Sequence, residues 1–168
     1  MNNCAYRFVI LTVLLLLGAS FAGLDTLAQN SPAPNRPSEA DAAAIRQAAL
    51  DYIEGWYEGS PERMERALHP ELAKRIVRTD PKSGRSSLGQ MSAMSLVMGT
   101  RNGGGKNTPK DKQQKDVTIL DVFENAASVK IVASEWIDYL HMGKWNGRWV
   151  IVNVLWEMKP APQPTSGQ

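Results

Sequence analysis

The chain has 168 residues, enough for one ordinary domain and too few for two of normal size. Its 19 Lys and Arg stand against 17 Asp and Glu, a formal net charge of +2, so no strong field demands nucleic acid or an anionic surface as partner. Hydrophobic residues make up 43% of the chain, which permits a packed core, and the single cysteine, Cys4, excludes an intrachain disulfide framework.

Residues 1–28 read as a secretory signal peptide. Arg7 supplies the positive start, Phe8 to Leu17 the apolar stretch, and Ala22 and Ala28 two candidate cleavage points. An uncleaved anchor is the alternative, but the run is short for a membrane span. The expectation is a secreted or periplasmic protein that has no membrane partner once cleaved. Cys4 precedes the apolar stretch, which rules out a lipoprotein thiol, and the mature chain would hold no cysteine for disulfides, thiolate zinc or thiol nucleophiles. Residues 29–37, with three prolines, read as an extended linker and residues 160–168 as a disordered tail, leaving a domain over 38–159.

Within that domain Ser38 caps a first helix whose apolar face is Ile45, Ala48, Ala49, Tyr52, Ile53 and Trp56, ended by Gly59. Ser60-Pro61 starts a second, short helix that closes at His69-Pro70. Leu72 to Thr79 fits a strand or a further helical turn. Asp80 to Gly84 is a turn, and Leu88, Met91, Met94 and Met98 predict a third helix from Ser86 or Ser87. Residues 101–115, with three consecutive glycines and four lysines, read as a mobile, solvated loop. Strands follow: Val117 to Phe123, one long bulged strand from Val129 to Met142, a tight connection at Gly143 to Gly147, and a last strand from Arg148 to Lys159. Helices followed by an antiparallel meander predict an α+β fold with the helices on one sheet face.

Several of these residues resemble a known family. Asp138-Tyr139-Leu140-His141-Met142, then Gly147-Arg148-Trp149-Val150-Ile151-Val152-Asn153, is similar to the terminal hairpin of the nuclear transport factor 2-like superfamily, and most of all to its putative lumazine-binding branch. Tyr52-Ile53-Glu54-Gly55-Trp56 and Leu68-His69-Pro70 resemble the first helix and following segment of that branch. Leu68 and Met142 depart from the usual aromatic and Leu, both conservatively for packing. The resemblance implies a cone: three N-terminal helices packed on a strongly curved, mainly antiparallel sheet, with a pocket at the open end. It leaves the activity open, because the superfamily hosts unrelated chemistries.

The candidate pocket wall is Tyr52, Trp56, Met91 and Trp149, with Ile151 and Asn153 sharing the side of Trp149 in the last strand. His69 and Asp138 are the candidate acid–base pair, in the manner that the resemblance implies from the isomerases and dehydratases of that superfamily. Asp138 and its neighbour Tyr139 must face opposite sides of the sheet, and His141 sides with Tyr139. His69, His141 and Asp138 do not form a metal set by spacing, so no metal or cofactor is expected. No nucleophile elbow, phosphate loop or zinc-protease motif is present, and the basic 101–115 segment lacks the interleaved aromatics of a nucleic-acid surface.

The first functional reading is therefore an exported protein that binds a small hydrophobic or aromatic ligand. The alternatives are a dehydratase- or isomerase-like enzyme using His69 and Asp138, and a dimeric interaction scaffold. A homodimer is expected through the outer sheet face, where Val150, Val152, Val154 and Trp156 share one side of the last strand.

Overall fold

The computed structural model describes residues 37–161. The proposed leader of residues 1–28, nearly all of the linker and most of the tail lie outside them.

Helix α1 spans Glu39–Glu58. The Ser38 hydroxyl accepts from the Asp41 N–H at 3.0 Å, and Glu39 and Asp41 place negative charge at the positive end of the helix. Gly59, at φ +65°, ends it in the left-handed conformation that glycine adopts without strain. Helix α2, Pro61–Ala67, is capped by Ser60 and folds back along α1. That approach needs Gly55, where a Cβ would stand 3.0 Å from the Met64 amide nitrogen. Asp51, buried between the helices, accepts from both Arg63 and Arg66.

From Ala67 the chain passes straight into strand β1, Leu68–Thr79. His69-Pro70 thus lies at the start of a strand, where the register breaks between Leu68 and Ala73 and a proline is tolerated. The segment expected to open the third helix is instead strand β2, Ser86–Ser92, which pairs antiparallel with β1 across the Asp80–Gly84 turn. Leu88 and Met91, three apart, fit a helical period, but the hairpin with β1 overrides it. Ser92 is the actual cap, accepting from the Ser95 N–H at 3.2 Å, and helix α3 spans Ala93–Arg101. Met94 and Met98 are exposed on it, not part of a core face.

The remaining strands are β3 (Lys115–Phe123), β4 (Ala126–Ala133), β5 (Trp136–Trp145) and β6 (Arg148–Met158). The expected single strand from Val129 to Met142 is thus two, separated by Ser134 and Glu135. The Tyr57 hydroxyl holds that corner: it receives the Ser134 N–H at 3.0 Å and lies 2.8 Å from Ser134 Oγ. The sheet order is β2-β1-β6-β5-β4-β3, antiparallel throughout except for the parallel pair β1–β6. Three helices pack on this curved sheet.

One irregularity decides which residues of β6 face the helices. Ile151 pairs with Met142 and Asn153 with His141, so Val152 is left unpaired as a bulge. Trp149 and Ile151 point inward before it, and Val154 and Trp156 after it. The expectation that Val150, Val152, Val154 and Trp156 share the outer face fails for this reason.

The 101–115 segment is not a free loop. The Gly105 N–H donates to the Trp56 carbonyl at 3.0 Å, and a Cβ on Gly105 would fall 2.5 Å from the Trp56 ring. Its glycines let the backbone lie flat against that indole. A short 3-10 turn, Lys110–Lys112, follows before β3.

Candidate functional site

The helices fill only part of the concave sheet face. A cavity of about 350 Å³ remains where α1, α3, the far half of β1 and the end of β6 diverge. Tyr52 and Trp56 reach it from α1, Met91 and Leu96 from the β2–α3 junction, and Trp136 and Trp156 from β5 and β6. This volume lies at the small end of the range for ligand pockets, about 300–1000 Å³. Arg78 and Glu135 stand exposed among its boundary residues.

One wall carries a buried polar cluster. Lys74 alternates with Leu72 and Ile76 on the inward side of β1 and is 5% exposed; Asp138, inward on β5, is fully buried. Lys74 Nζ donates to Asp138 Oδ1 and to the Tyr52 hydroxyl, both at 2.6 Å. The other carboxylate oxygen of Asp138 accepts from Trp136 Nε1 at 2.7 Å and from the Tyr52 hydroxyl at 3.2 Å. The ammonium also lies 4.7 Å from the centre of the Trp156 ring, within cation–π range.

The electrostatics follow from burial. Loss of water lowers the affinity of Lys74 for its proton; the Asp138 charge opposes that shift without overcoming it. Burial, and then the neighbouring Asp138 charge, raise Tyr52 well above the ordinary phenol value, so it stays protonated. Lys74 and Tyr52 line the cavity and Asp138 stands behind them. The cavity therefore offers an amine, a hydroxyl and aromatic faces, while the compensating carboxylate is out of its reach.

The structure does not bring together the pair expected from the sequence. His69 faces outward, its ring edge-on to Trp145 at 4.9 Å between centroids, and its Nδ1 accepts from the Glu71 N–H. It borders a separate depression with Glu71, Lys144 and Trp145. Asp138 is spoken for by Lys74, Tyr52 and Trp136. His141 is exposed, opposite Asn153 in the register, and Tyr139 faces away from the cavity as the alternation requires.

Of the expected wall, Tyr52, Trp56 and Met91 line the cavity, and Trp149, Ile151 and Asn153 do not. Trp149 is buried at the other end of the sheet, where its Nε1 donates to Asp41 at 2.8 Å. Ile151 is in the closed core. Asn153, beyond the bulge, is exposed and accepts from Arg75 at 3.3 Å. Trp156 takes the place that alternation had given to Trp149. Lys74 is the residue sequence reasoning missed. The signal was Leu72-x-Lys74-x-Ile76: read as a strand, this segment puts a lysine on the apolar side, which is rare without a partner.

Residues 40–157 match the family model described as "Putative lumazine-binding". Among solved structures, an NTF2-like protein of unknown function from Shewanella baltica OS155 superposes with a TM-score of 0.59 at 18% identity, covering 76% of this chain and 100% of that one. One from Methylobacillus flagellatus KT gives 0.59 at 20% identity, covering 74% and 97%. One from Silicibacter pomeroyi DSS-3 gives 0.57 at 15%, covering 74% and 100%. At these identities they attest the NTF2-like fold alone. No curated protein gives a significant sequence match to the chain.

Proposed function

Because this chain belongs to the putative lumazine-binding family and has the NTF2-like cone fold, we propose that it binds a small, planar, largely apolar ligand in the cavity between α1, α3 and the sheet. The observation that carries the reading is the cavity itself: an aromatic-walled space of about 350 Å³ beside a buried ammonium and hydroxyl. Apolar walls supply affinity and a few convergent polar groups set orientation. Trp56, Trp136 and Trp156 offer flat faces on which a fused ring stacks.

Thermal melting of the chain with 2-naphthalenemethanol tests this, with lumazine, the heterocycle in the family description, as a second compound. At a hundredfold excess over Kd, binding adds about 2.7 kcal/mol of stability. Met91→Trp fills the cavity and is expected to abolish the shift. A shift that survives Met91→Trp, or none with either compound, rejects the reading.

The outer sheet face favours self-association as a companion proposal. Val77 and Leu88 form an exposed cross-strand pair, and Leu155 and Tyr139 form another on the same face. A second copy related by a two-fold axis covers such a stripe. Leu155→Glu is then expected to convert a dimer to a monomer in sedimentation, whereas Trp156→Glu would damage the cavity instead. Export completes the proposal, on residues 1–28; an N-terminus near Gly23 or Gln29 in secreted or periplasmic material is the expected mass-spectrometric result.

A further inference from the structure

We infer that Lys74 is a carbonyl-capturing nucleophile, whose amine forms a reversible imine with an aryl or conjugated aldehyde held in the cavity. This rests on the binding reading above and adds covalent chemistry to it. Among the described residues, Lys74 is the one lysine that lines this cavity. Lys144 and Lys115 bind acidic partners at the surface. A lysine becomes nucleophilic when desolvation weakens its hold on its proton and a neighbouring group receives that proton. Both conditions are met: Lys74 is 5% exposed, and Asp138 Oδ1 lies 2.6 Å from Nζ on the side away from the cavity.

The step balances within these groups. The ammonium passes one proton to Asp138, leaving a neutral amine and a carboxylic acid. The nitrogen lone pair attacks the carbonyl carbon, and the C=O π pair moves to oxygen. The Tyr52 hydroxyl, 2.6 Å from Nζ, relays a proton from nitrogen to that oxygen to give a carbinolamine. Asp138 then returns its proton to the nitrogen, the Tyr52 hydroxyl relays one from the nitrogen to the carbinolamine hydroxyl, the C–O bond breaks, water leaves, and the nitrogen lone pair closes a C=N bond. Ammonium and aldehyde have become iminium and water. The cation stays beside the Asp138 carboxylate, so the buried charge pair is the same before and after. No new charge is buried, which is the cost that would otherwise oppose the reaction in an apolar site. The indoles around Nζ suit a conjugated ring attached to the captured carbon and a delocalised cation.

The experiment treats the full chain with 2-naphthaldehyde and borohydride, then maps the modified peptides by mass. Lys74 is expected to gain the mass of the aldehyde less its oxygen, about tenfold more readily than Lys110 and Lys112, since the cavity holds the aldehyde beside its amine and burial favours the neutral form of that amine. 2-Naphthalenemethanol, which fits the same space and forms no imine, is expected to displace the label. Lys74→Arg removes it while retaining the ion pair, and Lys74→Met serves where the guanidinium does not fit. Labelling at Lys74 no greater than at Lys110, with the alcohol still raising the melting temperature, overturns the inference and leaves the binding reading standing. Labelling that the alcohol does not displace also overturns it. If neither compound stabilises the chain and Lys74 is unlabelled, inference and binding reading fall together.

Discussion

Two Lys–Asp–Trp clusters hold opposite ends of the molecule, and they differ in little except water. At the start of α1, Asp41 accepts from Lys144 at 2.7 Å and from Trp149 Nε1 at 2.8 Å. At the cavity, Asp138 accepts from Lys74 at 2.6 Å and from Trp136 Nε1 at 2.7 Å. The Asp41 side chain is 26% exposed and that of Asp138 is wholly buried. In the exposed cluster the hydrogen bond from Lys144, then those from Trp149 and Ser38, hold the Asp41 carboxyl down at about 2. The pair there is a clamp that ties the β5–β6 hairpin to the helix. In the buried cluster desolvation dominates, and its visible effect falls on the lysine. The same three side chains make a fastening in one place and a poised amine in the other.

The comparison is broken most severely by removing one buried partner. Asp138→Ala leaves Lys74 and the Trp136 indole without their acceptor, and a loss of about 3–5 kcal/mol is expected in urea denaturation. Asp41→Ala is expected to cost clearly less, and a loss equal to that of Asp138→Ala would refute the distinction drawn between the clusters. Next in size is Gly105→Ala. The new methyl meets the Trp56 ring, so the indole must shift toward the cavity; a loss of about 1–3 kcal/mol is expected, with weaker naphthyl binding.

Smaller effects separate the clusters by solvent. The stability difference between the wild type and Asp41→Asn should shrink in about 1 M salt, where screening acts within about 3 Å. That between the wild type and Asp138→Asn should hardly change. The last test is pH. The folded value for Asp41, about 2, lies below the unfolded value of about 3.9. Its contribution is therefore complete above about pH 4 and is lost as pH falls through about 2. Side-chain carboxyl NMR should place the Asp41 midpoint near 2, and a midpoint near 4 would show that the clamp is not formed.

Much of the fold was legible because its signals are local. Ser38, Gly59 and Ser60-Pro61 mark helix ends through their own backbone chemistry, and the Gly143–Gly147 connection marks the last hairpin, although β5 runs on to Trp145 and only Asn146-Gly147 turns. What failed depended on partners distant in sequence. Ser86–Ser92 is a strand because β1 pairs with it, and Leu88 and Met91 alone do not say so. The corner at Ser134 depends on Tyr57, far back in α1. The site was half legible for the same reason. Tyr52 and Trp56 follow from the helix face; alternation separates Asp138 from Tyr139 without saying which faces inward, and Lys74 required β1 to be read as a strand. His69 drew attention by its chemistry, although its outward position beside Trp145 gives it no share in the cavity.

The bulge at Val152 makes β6 a strand with two phases. Up to Ile151 the odd-numbered residues are interior; from Val154 on, the even-numbered ones are. The closed end of the sheet and the cavity end are thus written in different reading frames of one strand, joined by a single unpaired residue. Were Val152 drawn into the ladder as an ordinary paired residue, both halves would follow the first frame. Asn153 and Leu155 would then turn toward the helices, Trp156 would leave the cavity for solvent, and the ion pair would lose the ring beside it. The fold would keep its strands in order and lose its site, so the one residue left out of the pairing, as much as the composition of the strand, is what the binding chemistry depends on.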